Sequence, residues 1–152
     1  MPHGYLLKDS VPTEADYLHL RSASGLSPRT AEQAARALPG SWAACHVVPT
    51  ADGTSVAMGR VIGDGGCCFH VVDMAVLPEH QRQGLGDLVL THLLDVVRRE
   101  AAPGANVTLM ADPPGRRLYG RHGFVDSAPA SVGMTLTLGP STSPAQPDHS
   151  PG

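Results

Sequence analysis

The stretch CCFHVVDMAVLPEHQRQGLGDLVLTHLLDVV, residues 67–97, constrains the fold more than any other part of the chain. Its first third, Cys67 to Leu77, is apolar, β-branched and aromatic and is stopped by Pro78, which reads as a strand. From Leu85 the apolar positions are Leu85, Leu88, Val89, Leu93, Val96 and Val97, the 3.6-residue period of a helix with one buried face. Between them lies HQRQGLGD, with Gly84 and Gly86 one residue apart. A chain that passes from strand to helix here leaves the first helical N–H groups without partners, and the helix dipole adds positive potential to them. Together these form an anion site. Glycine lets the backbone approach a phosphate and reach conformations closed to other residues. On these residues alone a glycine-softened helix start that binds nothing stands beside the anion reading. Two nucleotide motifs fail. A dinucleotide fingerprint needs a third glycine where Val89 stands and follows its strand directly, whereas PEHQRQ intervenes here. A phosphate loop of the Gly-Lys-Ser/Thr type does not occur.

The rest of the chain supplies the elements such a unit needs. YLLKD (5–9) reads as a first strand. A helix follows Thr13 as N-cap, and a second follows Ser27-Pro28 and ends at Pro39-Gly40. SWAACHVVP and TSVAMGRVIG read as strands parted by the turn residues TADG. ANVTLMA is a strand, GRRLYGRHGF a short helix closed by Gly123, and SVGMTLTL (131–138) a last strand. The tail from 139 to 152 is too poor in apolar residues to pack, and disorder is expected there. The result is a single α/β domain over 1–138: a mixed, mostly antiparallel sheet flanked by helices.

At 152 residues the chain can bury a substantial core. A net charge of −3 offers no basic footprint for nucleic acid. No apolar run approaches the roughly 20 residues of a membrane span. The start, MPHGYLLKDS, has no apolar signal core, so a cytoplasmic location is expected. Cys45, Cys67 and Cys68 lack the regular ligand spacing of a zinc site, and no metal is expected.

VVDMAVLPEHQRQGLGDLVLTHLL resembles the acyl-CoA-binding motif of the GCN5-related N-acetyltransferase (GNAT) superfamily, Gln/Arg-x-x-Gly-x-Gly/Ala, met by Gln81, Gly84 and Gly86. LYGRHGF (118–124) resembles that family's second motif, and the resemblance extends over roughly residues 41–138. It implies the GNAT fold and acetyl-CoA as co-substrate. It also implies that backbone groups of Met74, Ala75 and Val76 bond the pantetheine arm. The turn Gln81, Arg82, Gln83, Gly84, Leu85, Gly86 and Asp87 would hold the pyrophosphate. Tyr119 matches the tyrosine that sits near the coenzyme sulfur and protonates the departing thiolate. Where the family often has an asparagine touching the coenzyme, this chain has Asp112, which when ionised accepts but does not donate.

Amine acetylation needs a neutral amine held against the thioester, with most of the acceleration coming from that juxtaposition. Strand alternation places His70, Val72, Met74 and Val76 on one face and Val71, Asp73 and Ala75 on the other. By the resemblance, His70 stands where histone-type members carry a glutamate base, and its ordinary pKa near 6.5 suits the task. Asp73 stands at an acidic position common in small-amine acetyltransferases. A carboxylate within an apolar strand is costly unless it has a job. The expected reaction is direct attack by a primary amine of a small molecule, amino-acid-like or polyamine-like, on acetyl-CoA. Acetylation of a protein N-terminus or lysine is the alternative, and a non-catalytic acyl-CoA-binding module is a third. The expected partner is the small-molecule acceptor, with a homodimer as a further expectation.

Overall fold

A computed structural model describes residues 2–139. Nine elements follow one another: β1 (Tyr5–Lys8), α1 (Glu14–Ala23), α2 (Ala31–Ala37), β2 (Ala43–Pro49), β3 (Ala57–Gly63), β4 (Cys68–Val76), α3 (Leu85–Glu100), β5 (Asn106–Leu109) and α4 (Arg116–Arg121). The strands form one sheet in the order β1-β2-β3-β4-β5. The first four pair antiparallel and β5 joins β4 in parallel, giving the expected mixed, mostly antiparallel sheet.

The two faces of the sheet are covered by different helices. On one face α3 buries Leu85, Val89, Leu90, Leu93, Leu94 and Val97. At Gly59 a Cβ would come within 2.6 Å of Met74 Sδ and 2.7 Å of Val89 Cγ1, so only glycine lets α3 lie this close. On the other face sit α1 and α2. Thr13 caps α1 by accepting the Asp16 N–H at 3.1 Å. Asp16 in turn accepts both the N–H and the hydroxyl of buried Ser55, whose oxygen contacts His46 Nδ1 at 2.8 Å. Burial holds His46 below its ordinary pKa, so its imidazole in this polar bracket between α1 and the sheet is neutral near pH 7.

Two expectations change. The second helix begins after Thr30, not after Ser27: Thr30 and Gln33 close a reciprocal capping box. The Ser27 carbonyl instead accepts two donors of the Arg21 guanidinium. The last strand does not form on this sheet: residues 132–139 carry no strand pairing, and Val132, Met134, Leu136 and Leu138 are 70–92% exposed. Alternation signals a strand, but a strand needs an edge to pair with, and this segment does not lie on one. The expected disordered tail falls, from 140 onward, outside the described residues. No helix among the described residues is long and apolar enough to cross a membrane.

Candidate active site

The site begins with an irregularity in β4. Arg60 pairs with Val72 and Met58 with Ala75, so Asp73 and Met74 together oppose Gly59. This is a β-bulge, and Asp73 takes φ 57°, a left-handed conformation that aspartate tolerates better than most residues. Simple alternation put Val72 and Asp73 on opposite faces. With the extra residue they share one: both line the cleft under α1 and α2, while Met74 turns toward α3. β5 pairs only with Cys68–Val71 of β4. Beyond Val71, among the described residues, β4 has no strand on that side, so the backbone edge over Val72–Val76 is open to an extended ligand arm.

The open edge leads into the glycine corner. Gly84, at φ 79°, is the residue before α3, and a Cβ on it would meet nothing within 4 Å. Its role is conformational: a left-handed residue turns the chain so that the first helical N–H groups face outward. The first bond within α3 is from the Leu88 N–H to the Gly84 carbonyl, so the N–H groups of Leu85, Gly86 and Asp87 have no acceptor inside the helix. Gly86 stands against Val76 and Leu118, and its small size lets the helix start approach the end of β4. Gln81 donates to the Val76 carbonyl at 3.1 Å, Gln83 accepts from the Tyr5 hydroxyl at 2.9 Å, and these two side chains brace the turn. Arg82, exposed and at φ 59°, is the turn's own cation. Asp87 accepts from His122 at 2.9 Å and from Arg121 at 3.4 Å, which ties the start of α3 to the end of α4. The His122 hydrogen bond holds its carboxyl below the usual range.

Asp73 is the most heavily engaged side chain in the protein's cleft. One carboxylate oxygen takes Arg21 of α1, and the other takes both Nε and a terminal nitrogen of Arg60 at 2.7 Å and the Tyr17 hydroxyl at 3.1 Å. Arg60 also donates to the Ala37 carbonyl and the Ser41 hydroxyl, and its guanidinium lies 5.8 Å from the centre of the Tyr17 ring. All three charged side chains are about 7% exposed or less. Both oxygens of this carboxylate are already taken by two guanidiniums and a hydroxyl, so the geometry makes Asp73 a structural hub. Above this cluster opens a cleft of about 450 Å³, walled by Val72 and Ile62 below and by Arg29, Gln33 and Arg36 above.

His70 points to the same side as Val72 and pairs across β3 with Ile62, at the cleft's margin. Its Nδ1 lies 2.8 Å from Thr108 Oγ1, whose proton is directed at the Phe69 carbonyl. A hydroxyl that keeps its bond to the carbonyl accepts from Nδ1, and the lone pair then resides on Nε2. Tyr119 lies half-buried on α4, its ring across Gly115 and edge-on to Phe124 at 6.1 Å. Burial, and then the charge of Asp112, raise its pKa above 10, so the phenol keeps its proton. Asp112 is exposed at the turn into α4.

Sequence reasoning placed the β4, glycine-corner and α4 residues but missed the cations. Arg21 and Arg60 are needed once Asp73 is buried, and Arg60 within AMGRVIG was the visible signal, an unexplained charge in an apolar strand. Arg29, Gln33 and Arg36 carry no motif. Among the described residues one cluster has metal-ligating side chains, Asp64, Cys67 and Cys68. One oxygen of Asp64 accepts three backbone N–H groups there, which closes the β3–β4 turn.

Residues 42–126 match the model of the acetyltransferase (GNAT) domain, the span holding the bulged strand, the glycine corner and Tyr119. No protein of curated function matches the sequence. Among solved structures, protein SA2161 of methicillin-resistant Staphylococcus aureus is 35% identical with a TM-score of 0.84, over 88% of this chain and 99% of that one. Two further structures share the fold at lower identity. Glucosamine-6-phosphate N-acetyltransferase from Arabidopsis thaliana is 16% identical, with a TM-score of 0.66 over 89% of this chain and 99% of that one. The ribosomal-protein-S18-alanine N-acetyltransferase from Escherichia coli is 20% identical, with a TM-score of 0.67 over 82% of this chain and 79% of that one. One of these names an amino sugar and the other a protein, so the shared fold leaves the acceptor open. The domain match covers more than half of the chain, and with the 35% identical structure it shows the family: the chain belongs to the GNAT acetyltransferase family.

Proposed function

We propose that this acetyltransferase uses acetyl-CoA to acetylate the primary amine of a small molecule that also carries an anionic group. One observation carries the acceptor class: the floor of the cleft presents Arg60 and a single carboxylate, Asp73, whose charge Arg21 also balances from outside the lining, and Arg29 adds a further cation at the wall. Arg36 lines it too, and its partner Glu32 is lost at little cost because both side chains are over 70% exposed. A surplus of positive charge favours a carboxylate or phosphate on the acceptor, as in an amino-acid-like substrate, and opposes a polyamine. The cleft volume is in the range of small-molecule sites.

In this reading the coenzyme lies along the open edge of β4, its pantetheine amides bonded to the backbone of Met74, Ala75 and Val76. Its pyrophosphate meets the free N–H groups of Leu85, Gly86 and Asp87. The amine reaches the thioester from the cleft side, where His70 Nε2 has the lone pair to take its proton, and Tyr119 protonates the sulfur that leaves. Proximity of the two substrates supplies most of the rate. Thiol release measured across a panel of amines tests the acceptor class. Amino acids and amino sugar phosphates are expected to give kcat/KM at least tenfold above spermidine or cadaverine. A preference for the polyamines overturns the anionic-acceptor reading. Arg29→Ala is expected to raise the acceptor KM about tenfold with kcat and the KM for acetyl-CoA nearly unchanged, because it removes an interaction present equally in ground and transition states.

His70 has its own signature. As the base it takes the amine's proton in the transition state, so His70→Gln should lower kcat by about 100-fold while the KM for acetyl-CoA moves little. A variant that keeps the wild-type kcat assigns the proton transfer to another group.

A further inference from the structure

At the end of β4 remote from the glycine corner, the turn from β3 carries two adjacent thiols and a carboxylate that acetyl transfer does not use. Neighbouring side chains on a strand point to opposite faces, so adjacent cysteines in an extended chain cannot act on one ligand together. Here they can, because β4 begins only at Cys68 and Cys67 still belongs to the turn. Cys67 Sγ lies 3.6 Å from Cys68 Sγ and 3.4 Å from Asp64 Oδ2. The three side chains are exposed, and their donor atoms all lie within 4.8 Å of one another.

The backbone holds this set in place. Asp64 Oδ1 accepts the N–H groups of Gly66, Cys67 and Cys68 at 2.8, 2.9 and 3.1 Å, which leaves Oδ2 beside the Cys67 thiol. The turn is anchored on both sides: the Asn106 N–H of β5 donates to the Cys67 carbonyl at 2.8 Å, and the Ala102 N–H, just beyond α3, donates to the Gly66 carbonyl at 3.3 Å. A carboxylate oriented through its other oxygen needs little rearrangement to take an ion. The spacings are also close to those of tetrahedral coordination. With metal–sulfur bonds of about 2.3 Å and metal–oxygen bonds of about 2.1 Å, two thiolates stand about 3.8 Å apart, and a thiolate and a carboxylate oxygen about 3.6 Å.

We propose that Asp64, Cys67 and Cys68 bind a thiophilic divalent cation of the zinc type, with the fourth position open to water. On binding, each thiol exchanges its S–H bond for a sulfur–metal bond and its proton leaves to solvent, while Asp64 Oδ2 supplies a lone pair, so no oxidant or reductant is consumed. Two sulfurs and one carboxylate favour a soft or borderline ion over Mg²⁺ and Ca²⁺, which take oxygen ligands. Ligand spacing along the sequence hides this set, because the regular pairs of a zinc site are replaced by two neighbouring residues and the bend of one turn.

Equilibrium dialysis of the reduced full chain against Zn²⁺, with Co²⁺ as an optical substitute, tests this. The wild type is expected to take up Zn²⁺ at micromolar free ion, undiminished by millimolar Mg²⁺. With Co²⁺ it is expected to show thiolate-to-cobalt charge-transfer absorption that Zn²⁺ then removes. The double variant Cys67→Ser, Cys68→Ser should lose that absorption and bind Zn²⁺ at least about 100-fold more weakly, since losing ligands exceeds the roughly 10–100-fold cost of losing a group that only orients one. Asp64→Asn keeps an oxygen for the three backbone N–H groups but loses the charged donor, and should weaken binding about tenfold. A wild type that takes up no Zn²⁺ under these conditions overturns the site, and so does a double variant that binds as tightly as the wild type. Should the double variant fail to fold, the wild-type cobalt spectrum decides alone: an ion held without thiolate charge transfer sits on other ligands and overturns the proposal.

Discussion

Asp73→Ala is expected to be the most destabilising single substitution in the acceptor half of this protein. It leaves Arg21 and Arg60, both nearly buried, facing each other without a counter-charge. Removing one member of a buried pair typically costs about 3–5 kcal/mol, and here two cations are orphaned. Total stabilities of small proteins are about 5–15 kcal/mol, so a drop in Tm on the order of 10 °C or more is expected by calorimetry. Asp73→Asn, nearly the same shape, should lose most of that stability too, because the charge and not the volume balances the guanidiniums. Glu32→Ala removes the exposed partner of Arg36 and should cost less than about 1 kcal/mol. If Asp73→Asn melts with the wild type, the hub reading of Asp73 is wrong and its carboxylate is available to the substrate. Kinetics of the Asp73 variants therefore have to be read beside their melting curves.

Tyr119→Phe should produce the largest change in rate without a comparable change in stability. The ring stays across Gly115 and against Phe124, and only the hydroxyl is lost. Proton donation to a leaving group is an interaction of the transition state, worth about 10²–10⁴-fold, so kcat should fall by at least 100-fold while the KM for acetyl-CoA moves little. The raised pKa fixes the pH dependence. A donor must be protonated, burial and then Asp112 push its pKa above 10, and the wild-type kcat should hold through neutral and moderately alkaline pH and fall only beyond 10. Asp112→Asn removes the neighbouring negative charge and should move that fall to lower pH. An equal kcat in the wild type and Tyr119→Phe makes Tyr119 a packing residue.

The parts of this architecture that rest on local chemistry were readable before any coordinates. The period of Leu85 to Val97, the Thr13 cap and the turn glycines each act within a few residues. Gly123, at φ 90°, ends α4 as its sequence position suggested. What escaped depends on partners distant in the chain. The second helix starts after Thr30, whose capping box with Gln33 is local, while the Ser27 carbonyl is taken by Arg21, one helix earlier. Asp73 looked like a substrate contact because its two guanidiniums come from α1 and β3, 52 and 13 residues away. Alternation along β4 failed at the bulge, which arises from pairing with β3. The 131–138 segment has the pattern of a strand, and pattern alone does not say which edge a strand will join.

The bulge has a consequence for how this chain tolerates insertions and deletions. Because Asp73 is the extra residue, removing it would straighten β4 and turn every later side chain to the opposite face. Met74 would leave Gly59 for the cleft, and Val76 would turn away from Gly86, so the seat of the helix start and the floor of the acceptor cleft would be lost in one step. A residue added between Val71 and Val76 would do the same. The length of β4 is thus locked to the single residue, whereas Arg29, Gln33 and Arg36 stand outside the sheet's register. In the proposed reading, changes of acceptor are accessible there by substitution, one side chain at a time, without disturbing the edge proposed to hold the coenzyme.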